Sequence, residues 1–308
     1  MAMLASAAVA TLVLVACEAT DDNGDGDGDG TGDENGQELA GEQITIGVFT
    51  GWDEGIVASY LLGIVFADAG ATVEYLPAGP GPTFDGVAAG DADVSFDAWL
   101  PNTHADFWAQ HEGTIEDLGV WYDEAPLTIA VNEDSPVQSL ADLADSADEY
   151  GNRIVGIEPG SGLNRITREE VIPTYGLEGM DFVESDSSSM LTELETAIDA
   201  GENIVVTLWQ PHWAYAAFPI RNLEDPEGVL AEAEQIHAFG RPGFTEDLPV
   251  AAEWVGNFTL DEEQLLELER IMVVEDQSAS DEEYTASMQK WLDANPDWVD
   301  QLKAGELG

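Results

Sequence analysis

Two kinds of residue are nearly missing from this sequence. Only 8 of its 308 residues are Lys or Arg, against 63 Asp or Glu, which leaves a formal net charge of -55. Cysteine occurs once, as Cys17. So little positive charge excludes nucleic acid as a partner, because a surface of this sign repels phosphate backbones and anionic lipid alike. A lone Cys excludes a disulfide framework and a Cys-based zinc site. The four His residues, His104, His111, His212 and His237, show no metal-binding spacing, so no metal is expected. No nucleophile lies beside a recognisable base and no cofactor motif occurs, which argues against an enzyme. Pairs of carboxylates carry no signal in a chain with 63 acids.

The acidity is not confined to one segment. Ten of the acids lie in residues 18–42, and the remaining 53 still face only 8 bases. Such a surface is tolerable where salt screens it, the Debye length falling to about 3 Å at 1 M. A salt-rich habitat is the expectation.

Cys17 follows the apolar run Ala7–Ala16, which is too short to span a bilayer and has the character of a signal-peptide core. Leu14-Val15-Ala16-Cys17 resembles a bacterial lipobox, which makes residues 1–17 a signal peptide and Cys17 its lipidation site. No Lys or Arg precedes the run; a start upstream of Met1 would supply the missing positive region. Residues 18–42 are almost entirely Asp, Glu, Gly, Asn and Thr and read as a flexible acidic tether. Asp21–Gly26 imitates the opening of a calcium loop, but Gly28 and Gly32 occupy the positions that need an apolar residue and a bidentate Glu.

From Gln43 onward strands and helices alternate, which predicts an α/β fold with largely parallel sheets. Strands are expected at 44–48, 72–76, 93–98, 127–131, 153–157 and 204–208. Helices are expected from residue 53 to Gly70, over 84–89, 163–175 and 187–200, and in three segments beyond Trp254. Three of the strands run out into a Trp: Phe49-Thr50-Gly51-Trp52, Asp97-Ala98-Trp99 and Thr207-Leu208-Trp209. Carboxyl ends of strands are where open α/β sheets bind ligands. A single Trp there is more often core, but three in equivalent positions point to aromatic faces around one crevice. With no Lys or Arg nearby to stack on them, they suit a ligand cation, each face contributing about 0.5–2 kcal/mol when desolvated. A quaternary ammonium, which needs no acceptors, is the natural guest.

Two further stretches suit an anion. Gly156-Ile157-Glu158-Pro159-Gly160-Ser161-Gly162-Leu163 follows a strand and opens a helix, where free N–H groups and the helix dipole favour negative charge. It is no nucleophile elbow, because Pro159 and Leu163 stand where glycines are required. His104, five residues after Trp99, could donate a hydrogen bond to a carboxylate.

Together these stretches resemble the substrate-binding proteins of ABC importers for glycine betaine and related compatible solutes. The carrying motifs are Trp52-Asp53-Glu54-Gly55-Ile56, Phe96–His104, Gly156–Gly162 and Val205–Trp213, within a similarity over roughly residues 43–300. The resemblance implies a two-lobed fold of the periplasmic-binding-protein kind, with a hinge and a ligand cleft between lobes at approximately 43–130 plus 215–308, and 131–214. It implies a trimethylammonium cage of Trp52, Trp99 and Trp209. The solute carboxylate would be held by the backbone amides of Gly162 and Leu163 and by His104. One lobe would supply Trp52, Trp99 and His104, the other Gly162, Leu163 and Trp209. Leu163 stands where Ile is usual, which is immaterial if only its N–H is used. The implied partners are a small zwitterion, permease and ATPase subunits, and the membrane through the lipid anchor on the extracytoplasmic face; no cofactor is implied. A module that senses solute and signals to a membrane partner, or a receptor for choline or carnitine, is the alternative.

Overall fold

The structure is a computed structural model, and it describes residues 38–230 and 233–307. Cys17, the signal-peptide run and most of the acidic stretch lie outside the described residues. Its last residues are packed: Leu39 is buried and its N–H donates to the carbonyl of Ala69.

Two five-stranded sheets divide the chain. Strands β1 (Gln43–Phe49), β2 (Thr72–Ala78), β3 (Val94–Leu100), β4 (Glu116–Ala125) and β10 (Glu234–Gly240) form the first, in the order β2-β1-β3-β10-β4. Strands β5 (Leu127–Asn132), β6 (Arg153–Val155), β7 (Asp181–Val183), β8 (Val205–Trp209) and β9 (Ile220–Asn222) form the second, ordered β7-β6-β8-β5-β9. The chain therefore passes between the lobes twice, through Pro126 and through the stretch between Asn222 and Glu234. The two crossings meet, since Glu234 pairs with Ala125 in the first sheet.

The sheets are mixed rather than largely parallel. β1 runs parallel to β2 and β3, and β6 to β7 and β8, while β5 and β10 enter antiparallel to their neighbours. β5 and β10 are the strands that open each lobe crossing, so they arrive without the helical crossover that parallel pairing demands. The sequence reading omits β4, β7, β9 and β10, of which β7 and β9 are only three residues long. β4 carries four acids and a glycine in the left-handed region, Gly119 at φ +117°, so its apolar alternation is faint.

The helix Asp53–Asp68 organises the first lobe. Every residue from Glu54 to Phe66 is buried, as expected of a helix with apolar residues on all sides. One face lies on the sheet and another meets the helices Glu262–Glu269 and Asp281–Ala294. Two glycines permit that burial: a Cβ at Gly63 would fall 2.1 Å from the Tyr75 hydroxyl, and one at Gly55 would fall 2.4 Å from Asp97 Oδ2. Among the described residues no helix is long and apolar enough to cross a membrane.

Candidate functional site

The three tryptophans reach one place from three strands. Trp52 lies three residues past β1, at the N-cap of the Asp53–Asp68 helix; Trp99 is the penultimate residue of β3; Trp209 ends β8 in the other lobe. All three are buried and line a common void with Glu54, Thr103, Leu127, Ile157 and Leu163, of only about 20 Å³, room for a single water. With so little room between the rings, a guest is admitted only when the lobes move apart. The Trp52 and Trp209 rings stand 6.5 Å apart between centroids at 61°.

His104 is packed under this aromatic wall, stacked on Trp52 at 5.4 Å and 13°. Its Nδ1 accepts the backbone N–H of Trp99 at 2.9 Å, and the His104 backbone N–H donates to the Trp99 carbonyl. Accepting at Nδ1 places the ring proton on Nε2, and Nε2 is buried without a partner. Burial, with the Arg165 charge as a second cause, pushes the imidazole pKa down to about 3. The ring is therefore neutral and presents one unsatisfied N–H donor.

Gly162 and Leu163 occupy the first two positions of the helix Gly162–Ile166, capped by Ser161 Oγ, which accepts from Asn164 N. Backbone N–H groups at these positions have no partner within the helix. Gly162 abuts the other lobe: a Cβ there would lie 2.1 Å from the Thr103 carbonyl oxygen. Of the six residues singled out by the sequence, Trp52, Trp99, Leu163 and Trp209 line the void, while His104 stacks on Trp52 and Gly162 abuts Thr103; Trp52, Trp99 and His104 stand on the first lobe and Gly162, Leu163 and Trp209 on the second.

What the sequence reading passes over is the set of acids behind the rings. Each indole N–H donates to a carboxylate: Trp52 to Glu158 at 3.2 Å, Trp99 to Asp97 at 2.8 Å and Trp209 to Glu54 at 3.0 Å. A fourth, Trp213, donates to Asp53 at 2.7 Å, and its backbone N–H to Glu269 at 2.8 Å. Apart from the Trp99 pair, these bonds cross between the lobes. Burial is the main cause of unusual acidity here. It raises Asp97 to about 7 against the Trp99 bond, and Asp53 to about 6 against the Trp213 bond. Glu54 is pushed well up by burial and then by the Asp97 and Glu269 charges, and Glu269 by burial and then by Asp53. A sixth acid, Glu234 at the lobe crossing, fixes the loop before His104. It accepts from Asn102 N at 2.6 Å, Thr103 N at 3.0 Å and the Thr103 hydroxyl. The motifs contain four of these acids, but nothing in their spacing separates them from the rest.

His111 and His237 stand apart from the cleft, each beside a carboxylate, Asp85 and Asp117 respectively. His212 is buried, with Nδ1 accepting from Ala214 N. Among the described residues no cluster of His, Cys, Asp or Glu is arranged to hold a metal ion.

Two α/β lobes meeting at an aromatic void define a solute-binding protein. The chain belongs to the family of substrate-binding domains of ABC-type glycine betaine transport systems, whose model matches residues 42–294. A glycine betaine/carnitine transport binding protein of Listeria monocytogenes is 32% identical over 165 residues, which is 52% of this chain; the match spans about half, 53%, of that relative. The lactococcal protein OpuAC, solved in a closed, liganded conformation with glycine betaine, superposes with a TM-score of 0.77 at 25% identity, covering 85% of this chain and 99% of that one. A glycine betaine/L-proline-binding protein of Borrelia burgdorferi shares the fold with a TM-score of 0.78 at 24% identity, over 86% of this chain and 100% of its own.

Proposed function

We propose that this chain is an extracytoplasmic receptor for glycine betaine or a closely related quaternary ammonium solute, anchored through Cys17 and delivering its cargo to an ABC permease and ATPase. The observation that carries this reading is the unsatisfied Nε2–H of a buried, neutral His104 whose ring stacks on Trp52, one wall of an aromatic void. A buried donor left unpaired costs about 1–3 kcal/mol, and a solute carboxylate beside it, with the Gly162 and Leu163 amides, removes that cost. The rings take the other end of the molecule: Trp52, Trp99 and Trp209 present π-faces to a cation that brings no hydrogen-bond donors of its own. Hinge closure about the two lobe crossings then joins the cation half and the anion half around one zwitterion. The excess of 63 acids over 8 bases supports a salt-rich surrounding, where a compatible solute is worth importing.

The test is the ligand's negative end. Choline keeps the trimethylammonium but has a hydroxyl in place of the carboxylate. In calorimetric titrations at high salt, which screens the attraction of the acidic surface for a net cation, choline is expected to bind at least tenfold more weakly than glycine betaine. Tenfold corresponds to about 1.4 kcal/mol, the scale of one lost buried contact. Equal affinities would remove the carboxylate half of the site.

A further inference from the structure

We propose that Glu158 is a positioning residue that works as an interlobe catch: it holds the cage ring of Trp52 only when the lobes are closed, and so sets how fast a solute leaves. The inference rests on the solute-receptor reading for its ligand, but not for its geometry.

Glu158 stands in the turn after β6, in the second lobe. Its carboxylate is first fixed within that lobe. Oε1 accepts the backbone N–H of Ser187 at 2.8 Å and Oε2 the Ser187 hydroxyl at 2.9 Å, at the start of the helix Ser187–Ala200. From the opposite lobe the Trp52 indole N–H reaches Oε2 at 3.2 Å. The turn leading to Trp52 also comes close: a Cβ at Gly51 would sit 2.6 Å from Oε1, and Gly51 holds φ +88°, where a side chain is strained in any case. A bare turn and a pre-held acceptor therefore meet across the cleft.

This arrangement has a kinetic consequence. Ser187 keeps the carboxylate oriented whether or not the lobes touch, so closing requires no rearrangement of the acceptor. Trp52, in contrast, gains its partner on closing and loses it on opening. Its ring also stacks on His104 and faces Trp209, so holding its edge fixes one wall of the void. A bond made in the closed state alone slows opening and leaves encounter with the solute unchanged.

Glu158→Gln is the informative variant. The amide oxygen can keep the Ser187 N–H bond, which turns the amide NH₂ toward Trp52 and sets donor against donor. The first measurement needs no solute: hydrogen exchange of the Trp52 indole N–H, with the resonance assigned through Trp52→Phe. Exchange is expected to be about tenfold faster in Glu158→Gln than in the parent, with the thermal midpoint unchanged; equal exchange in the two proteins overturns the catch. The second is stopped-flow tryptophan fluorescence with glycine betaine. Here koff is expected to rise about tenfold, or about 1.4 kcal/mol, while kon stays within about twofold; a fall in kon at constant koff overturns it. Glu158→Ala, which has no group to oppose the indole, is expected to raise koff as well. Failure of the parent protein to bind glycine betaine would overturn the receptor reading instead, and the exchange measurement would still decide the catch.

Discussion

On the helix Ser187–Ala200, Glu195 and Asp199 stand exposed to solvent; in the cleft, Glu54 is 1% exposed and Glu269 0%. The residue types are the same and the physics is opposite. A surface carboxylate is hydrated and screened by salt, and its neighbours repel it weakly through water. A cleft carboxylate has lost its water, so desolvation favours the protonated form, and an indole N–H at Glu54 or a backbone N–H at Glu269 replaces part of the hydration. The comparison teaches that the acid content of this chain has two origins. One population is a matter of the medium in which the protein is dissolved. The other, a handful of residues, holds the edges of the tryptophan rings at the candidate site.

The largest effect that would separate the two populations is expected at Glu54. Replacing it by Ala leaves the Trp209 N–H without an acceptor in the closed cleft, an unpaired group costing about 1–3 kcal/mol. Glycine betaine affinity should fall roughly 5- to 150-fold by titration. Glu54→Gln keeps a carbonyl that can accept the same bond and should recover most of that loss. If both variants bind like the parent, the cleft acids are no different from the surface ones.

A second distinction is the pH at which each population titrates. Exposed acids protonate near pH 4, whereas burial raises Asp53 to about 6 and Asp97 to about 7. A carboxyl whose folded pKa is raised stabilises the fold fully below its unfolded value, near 4, and that contribution is lost as pH rises through the folded value. The thermal midpoint should therefore fall as pH is raised from 5.5 to 8, a window in which the surface is already ionised. Asp97→Asn should flatten the slope. A parent midpoint that is constant across this window would place the cleft acids with the surface ones.

Salt should act on the surface population and barely on the cleft. From 0.1 to 2 M potassium chloride the thermal midpoint should rise as self-repulsion is screened. Affinity for a zwitterion enclosed in the cleft should move less than about twofold in the same series, and Glu195→Gln should shift stability by no more than about 0.5 kcal/mol. A betaine affinity that tracks salt as steeply as the midpoint does would break the division.

Much of the candidate site was legible in the sequence because its residues are rare. Nine tryptophans in 308 residues leave few at strand ends, and a glycine-rich turn between a strand and a helix advertises its free amides. The acids behind the rings were hidden by number. Glu54, Asp97 and Glu158 sit in the motifs, yet periodicity cannot distinguish an acid facing a Trp edge from one facing water when acids occur at every turn. His104 was visible as a candidate donor, whereas its tautomer depends on a backbone N–H from Trp99 that only the folded loop supplies. In the fold, β1, β3, β5 and β8 followed from continuous or alternating apolar runs. β7 and β9 did not, being three residues each, and nor did β4 and β10, whose pairing is dictated by the lobe crossing between Ala125 and Glu234 rather than by their own composition.

The contact between Gly162 and Thr103 reaches beyond the amide it exposes. The carbonyl oxygen of one lobe occupies the place where a side chain on the other would begin, so the end point of the hinge's travel is set by a missing carbon. Any residue but glycine there is a mechanical stop. Its methyl would wedge the jaws ajar and leave each half of the site intact, yet facing its counterpart across water. The protein would then handle a zwitterion as two separate charges, each weakly held, and could no longer count both ends before it shuts.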